Sequence, residues 1–128
     1  MSIMIRTVQS VTMSGTDATA AAAMAWPYDN TGVLQSARIL SNTTVAANDT
    51  NNITVSATQN SIAIFSRQTN VAGGALAAGD SELQTFGATM VGDKLELEKG
   101  EEVTFAVAKA GTGPAYELSV ELIYKLVN

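Results

Sequence analysis

Residues 94–109 read Lys-Leu-Glu-Leu-Glu-Lys-Gly-Glu-Glu-Val-Thr-Phe-Ala-Val-Ala-Lys, and the expected class of fold follows from this stretch. Apolar side chains alternate with polar or small ones on both sides of Gly100. A period of two places successive side chains on opposite faces of a strand, and a glycine between two such runs favours a tight turn. We therefore predict a β-hairpin here, with an apolar face that a larger sheet and a second layer must cover.

The composition favours a single globular domain. A chain of 128 residues is long enough to bury one substantial core. Hydrophobic residues make up 46% of the sequence but aromatic residues only 5%, so the apolar content is mostly Ala, Val, Leu and Ile. This mixture fits a sheet protein with small side chains better than a disordered chain. We predict one β-sandwich domain over residues 1–128, with no linker that divides it.

Charge and missing residue types exclude several classes of function. The net charge is −5 and Lys and Arg form no run, so a phosphate backbone would be repelled and we expect no nucleic-acid partner. The chain has no histidine and no cysteine. It therefore lacks the commonest general base, the commonest transition-metal ligands and any disulfide. We expect no enzymatic activity, no metal and no cofactor.

No segment of the sequence has the length of a membrane span. The run of small apolar residues at 18–25 is far shorter than the about 20 residues that cross a bilayer. The first residues also lack the apolar core of a secretory signal. We expect a soluble chain, made in a cytoplasm, with no membrane partner.

Alternation of apolar and polar residues predicts about eight strands. They cover residues 3–11, 33–40, 53–58, 62–66, 83–89, 95–98, 103–108 and 116–127. Residues 116–127 give the clearest pattern and are expected to line the core. Short strands without βαβ alternation favour two packed sheets, so we predict an all-β, antiparallel, jelly-roll-like sandwich. The Ser-, Thr- and Asn-rich residues 41–52 and the Gly-containing residues 69–80 are expected to be loops.

The first thirty residues are a candidate interaction arm of this sandwich. Residues 19–25 are small and have no apolar period, so they are expected to form either one helical turn or an extended arm. Pro27 then excludes helical geometry for the preceding Trp26. We interpret residues 1–30 as a segment that contacts another chain.

Three side chains are candidate protein-interface residues: Trp26, Tyr28 and Arg38. Trp26 is either a plug that closes one end of the core or an aromatic anchor for another chain, since Trp and Tyr dominate interface energies. The strand pattern places Arg38 on the same face as Leu34 and Leu40. Arg38 and Arg67 are rare positive charges on predicted strands, and we expect both to pair with local carboxylates.

No pattern of residues predicts a catalytic or metal site. The carboxylates near predicted turns are Asp29, Asp80, Asp93, Glu101 and Glu102. Nothing brings two of them to a defined separation, so we interpret them as solvated turn residues. The Asn- and Asp-rich residues 48–52 lack the spaced carboxylates of a calcium loop and are expected to form an Asx turn.

Several segments, in this order, resemble the small β-sandwich proteins of tailed bacteriophages known as head decoration, cement or head-fibre proteins. The segments are residues 37–40, 47–55, 77–79, 97–101 and 103–113. The resemblance covers about residues 33–125, and Ile53 stands where the family often has an aromatic residue after the Asn pair.

The resemblance implies a non-enzymatic protein of the virion, made in the host cytoplasm. It would bind the outer capsid surface as a homodimer or homotrimer and hold neighbouring major capsid protein subunits together. A second hypothesis is a receptor- or glycan-binding module of a phage fibre or cell surface. In that case Trp26, Tyr28 and Tyr116 would form a stacking platform.

Overall fold

The computed structural model describes residues 5–15 and 20–127, and in these residues the secondary structure is almost entirely β. The strands are β1 (Ile5–Gly15), β2 (Ala20–Ala25), β3 (Thr31–Ser41), β4 (Asn52–Gln59), β5 (Ile62–Gln68), β6 (Ser81–Gln84), β7 (Glu96–Leu97), β8 (Glu102–Ala110) and β9 (Tyr116–Val127). A short 3₁₀ helix covers Gly92–Leu95. No helix in this part of the chain is long and apolar enough to cross a membrane.

The strands form two antiparallel sheets that pack face to face. The first sheet has the order β1-β9-β3-β6, and β7 pairs with the opposite end of β3 from β6. The second sheet has the order β2-β8-β4-β5. The predicted all-β sandwich is therefore confirmed. The two predicted loops are observed at residues 42–51 and 69–80, since Ser41 ends β3 and Asn52 begins β4. An isolated bridge joins Val45 of the first loop to Leu76 of the second.

β9 supplies the centre of the core, as its sequence pattern predicts. Its inward side chains Leu118, Val120, Leu122 and Tyr124 are fully buried. They face apolar residues of the second sheet, which include Ile53, Val55, Val103, Phe105 and Val107. The alternation of inward and outward residues along β9 therefore fixes which side of the first sheet meets the second.

The hairpin predicted at residues 94–109 is wrong, although both of its strands exist. Glu96–Leu97 pairs with β3 in the first sheet, whereas Glu102–Ala110 lies between β2 and β4 in the second. The turn at Gly100, which has a φ of 87°, therefore carries the chain from one sheet to the other. Leu97 and Val103 both point into the core, but from opposite sheets. Alternation of apolar and polar residues shows which side chains share a face of a strand, but it does not show which strands pair.

The N-terminal region contributes an edge strand to each sheet. β1 pairs with β9, and β2 pairs with β8. The extended alternative for residues 19–25 is therefore the one observed from Ala20 to Ala25, because sheet pairing overrides the helix preference of alanine. The predicted strand start at Ile3 and the first residue of the 19–25 segment, Thr19, lie outside the described residues.

Two further details of the prediction change. The strand predicted at residues 83–89 is observed as Ser81–Gln84, and irregular backbone follows it. The predicted common face of Arg38, Leu34 and Leu40 is also wrong. A bulge between Leu34 and Ser36 shifts the alternation, so that Leu34 faces the core while Arg38 lies on the outer face.

A buried hydrogen-bond network joins the two sheets. The hydroxyl of Tyr124 on β9 donates to Oε1 of Gln59 on β4 at 2.6 Å. Nε2 of Gln59 donates to the carbonyl oxygens of Lys94 at 2.9 Å and Glu96 at 3.3 Å. Tyr124 and Gln59 are both 0% exposed, so burial removes their hydrogen bonds to water. The hydrogen bonds within the network take the place of those lost bonds.

Changing Tyr124 to Phe should alter how stability depends on pH. Burial raises the pKa of the Tyr124 hydroxyl above its ordinary value near 10. The unfolded chain therefore releases this proton first, and folding stability is lost as the pH rises above about 10. Urea titrations from about pH 9 to about pH 11 should show a shallower loss for Tyr124→Phe than for the wild type. Burial also raises the pKa of Tyr116, so a part of the slope should remain in both proteins.

Gly32 is expected to be essential for packing Trp26. A Cβ atom at position 32 would lie 2.6 Å from Cη2 of the indole, which is closer than carbon atoms pack. Gly32→Ala should lower the free energy of unfolding by about 1–3 kcal/mol in urea denaturation. The same change in a Trp26→Phe background is the control, because the shorter ring leaves room for the methyl group. An equal loss in both backgrounds would contradict this assignment.

Candidate interaction surface

Trp26 lies in the core, where it closes one end of the sandwich. Its side chain is 2% exposed, and Nε1 donates to the carbonyl oxygen of Asn30 at 2.9 Å. The ring packs against Tyr124 and Tyr28, with centroids 4.9 and 5.0 Å away. This position fits the interpretation of Trp26 as a plug. The indole is not exposed as an anchor for another chain.

The aromatic platform considered for glycan binding does not form. Tyr28 is 37% exposed and shares a hydrogen bond with Thr7 at 3.3 Å. Tyr116 is 3% exposed and lies eight residues from Tyr124 on the same strand, which is about 26 Å. Since Trp26 packs on Tyr124, Tyr116 is at the opposite end of the sandwich. Tyr28 is the one member of the predicted trio with a substantial exposed surface.

Arg38 lies half-buried on the outer face of the first sheet. Its guanidinium donates to Oγ of Ser81 at 3.3 Å, and Glu121 stands opposite it on β9. The ion pairs formed within residues 5–15 and 20–127 are Arg67–Glu82 and Lys99–Asp29. The predicted carboxylate partner is therefore found for Arg67 and not for Arg38.

The polar loop at residues 48–52 is an Asx turn, as predicted. Oδ1 of Asn48 accepts hydrogen bonds from the amides of Thr50 at 2.8 Å and Asn51 at 2.7 Å. Oδ1 of Asp49 accepts from the amide of Val71 at 2.9 Å. In the described part of the chain, no three Asp or Glu side chains lie close enough together to hold a metal ion.

An apolar groove opens beside β3. Strands β6 and β7 pair with opposite ends of β3, and the bulge at Gln35 lies in the gap between them. The segment after β6 borders this gap and leaves a groove of about 510 Å³. Residues 35–36, 83–88 and 90–91 line the groove, and none of them is charged.

Two exposed apolar side chains stand at the border of the groove. Leu83 is 59% exposed and Val91 is 61% exposed, while Phe86 and Met90 are more buried. Sequence reasoning missed this surface because it extended a regular strand over residues 83–89. The sequence does contain a signal for this surface. Apolar residues continue around Gly87, from Phe86 to Val91, although they no longer alternate regularly with polar residues.

Arg67 connects the loop at residues 69–80 to the edges of both sheets. Its Nε donates to Oε1 of Glu82 at 2.6 Å, and its Nη2 to Oε2 of the same carboxylate at 3.2 Å. The guanidinium also donates to three backbone carbonyl oxygens, those of Gln68, Gly74 and Ala75. Its side chain is 12% exposed. The hydrogen bond from Arg67 is the main reason that the pKa of Glu82 is lowered.

Lysine should not replace Arg67 without a loss of stability. An ammonium group cannot reproduce the planar arrangement of donors that reaches five oxygen atoms. We expect Arg67→Lys to lower the free energy of unfolding by about 1–3 kcal/mol at neutral pH. Arg38→Lys is the matched control, and it should change little because Arg38 makes one long hydrogen bond to Ser81. Equal effects of the two substitutions on urea denaturation would contradict the role given to Arg67.

No protein-family model matches this chain, and no curated protein matches it either. Among solved structures, the chain is similar to a part of one reported as the structure of infectious bursal disease virus Gx strain. The sequence identity is 11% and the TM-score is 0.41. The match covers 94% of this chain and 32% of the other, so this chain spans about a third of that chain's length.

Proposed function

We propose that this chain is a structural virion protein that decorates or cements the outer surface of a tailed-phage capsid. It would bind across neighbouring major capsid protein subunits, as a homo-oligomer, and would have no enzymatic activity. The resemblance of residues 33–125 to decoration proteins motivates this function. The observation that carries it in the structure is the uncharged groove bordered by Leu83 and Val91.

The groove suits a protein partner better than a small charged substrate. Exposed apolar side chains beside a concave surface are typical of protein interaction sites. Residues of the groove offer apolar surface and amide or hydroxyl groups, but no titratable side chain for acid–base chemistry. An apolar side chain of a capsid subunit would lose water on entering it, and Val91 and Leu83 would be covered at the same time.

Binding alone would be sufficient for this function. A protein that binds assembled capsid subunits, and not separated ones, stabilises the shell by mass action. Repetition of the same contact over a symmetric shell increases the total effect without strong individual contacts. The continuous core holds the strands in place before binding, so little conformational entropy is lost when the surface of the sandwich binds a partner.

Sedimentation with capsid shells tests this function. The protein should pellet at a fixed ratio to the capsid protein when it is mixed with shells of the virus that encodes it. Val91→Asp should weaken this binding by at least about tenfold, because it places a charge in the apolar contact. Val71→Asp is the matched control, since Val71 is 64% exposed and does not line the groove. Both sites are exposed, so neither change should affect folding.

Failure of the wild-type protein to pellet with shells would contradict the proposed function. Specific binding to a glycan array, lost on Tyr28→Ala, would then favour the second hypothesis of a receptor- or glycan-binding module. Equal loss of shell binding in Val91→Asp and Val71→Asp would contradict the assignment of the groove.

A further inference from the structure

The two sides of the sandwich differ in how their strand edges are protected. We define the closed side as the edges formed by β5, β6 and β7, and the open side as the edges formed by β1 and β2. An edge strand exposes alternate backbone N–H and C=O groups that can pair with another strand. Proteins usually protect such edges with short strands, charged side chains, proline, bulges or covering loops.

Several of these protections are present on the closed side. β6 has four residues and β7 has two. The amide of Gly87 donates to the carbonyl oxygen of Ile64 on β5 at 2.7 Å, so the segment after β6 covers part of that edge. Arg67 on β5 also binds Glu82 on β6. Another strand could add to this side only by displacing these contacts.

Among residues 5–15 and 20–127, the open side lacks the same protections. β1 has eleven residues in unbroken register with β9, without a bulge, a proline or a lysine. Its one charged residue is Arg6. Ile5 and Val8 are 54% and 53% exposed. β2, the neighbouring edge, consists of five alanines and one methionine, whose small side chains do not hinder a close approach.

We propose that the β1 strands of two copies pair antiparallel across a two-fold axis near Ser10. This inference deepens the self-association in the proposed function and rests on it for its biological setting. A two-fold interface requires a surface complementary to itself. Pairing about Ser10 places Val8 opposite Thr12 and Arg6 opposite Ser14, with no like charges in contact.

Charge and hydrogen bonding favour a second copy as the occupant of this edge. The net charge of the chain is −5, so two copies repel each other over much of their surface. β1 contains no carboxylate, so the repulsion between two copies is weak where their β1 strands meet. Two paired strands of this length exchange about ten backbone hydrogen bonds, which is the number found in typical protein interfaces.

The pairing would also place the two grooves at opposite ends of the dimer. In each copy, β9 and β3 lie between β1 and the groove. At the usual spacing of strands, the two grooves would be about 34 Å apart. One dimer would then contact two separate positions on a shell, and each contact would raise the effective concentration of the other.

Light scattering of the purified chain of residues 1–128 tests the pairing. The wild type should have the mass of two chains in the high micromolar range. Ser10→Lys should weaken dimerisation at least about tenfold, because it brings two like charges together at the axis. It should leave the monomer folded, since Ser10 is exposed and stands opposite Glu121 on β9. Ser66→Lys is the matched control, because Ser66 is exposed and lies on β5, an edge strand of the closed side.

A crosslink gives an independent readout in this cysteine-free chain. Ser10→Cys should form a disulfide-linked dimer on mild oxidation, because paired residues at the axis lie within the range that a disulfide spans. Ser66→Cys should stay monomeric. A monomeric wild type, or a dimer that Ser66→Lys disrupts and Ser10→Lys does not, would overturn the inference. A monomer that still pellets with shells would overturn the pairing alone, whereas a dimer that ignores shells would overturn the proposed function alone.

Discussion

The hydrogen bond between Tyr124 and Gln59 is the contact on which the arrangement of the two sheets depends. It joins an inner strand of the first sheet to the second sheet within a mostly apolar core. Gln59 also binds the carbonyl oxygens of Lys94 and Glu96, so it positions the chain just before and within β7. That position sets one end of the gap along β3. The groove is therefore a consequence of a buried polar contact as much as of its own apolar residues.

Much of the fold can be predicted from apolar residues that alternate with polar ones, because a strand that buries one face needs an apolar side chain at every second position. β9 and β8 were predictable for this reason. The pairing partners of the strands were not predictable, since Leu97 and Val103 both follow the alternation but lie in different sheets. β2 was ambiguous because alanine is compatible with a helix and with a sheet, and pairing with β8 decides between them. The bulge at Gln35 likewise depends on pairing partners, and it reverses the face predicted for Arg38.

The candidate site was less predictable than the fold. Trp26 attracts attention in the sequence, but its ring supports the core and leaves little surface for a partner. The groove depends on a gap between β6 and β7, which no local pattern reveals. The open side could be predicted only if the strands at the sheet edges were known, and the sequence does not reveal the strand order. Residues 5–15 and 20–25 are integral strands, so a role for this region in binding is better tested by single exposed substitutions than by its deletion.

Electron cryo-microscopy of decorated shells would show the dimer contact and the capsid contact together. We expect density for pairs of sandwiches related by a two-fold axis at β1, with the groove of each copy against a different capsid subunit. Single copies bound to the shell through the exposed end at Tyr28, with both the β1 edge and the groove facing solvent, would contradict this expectation.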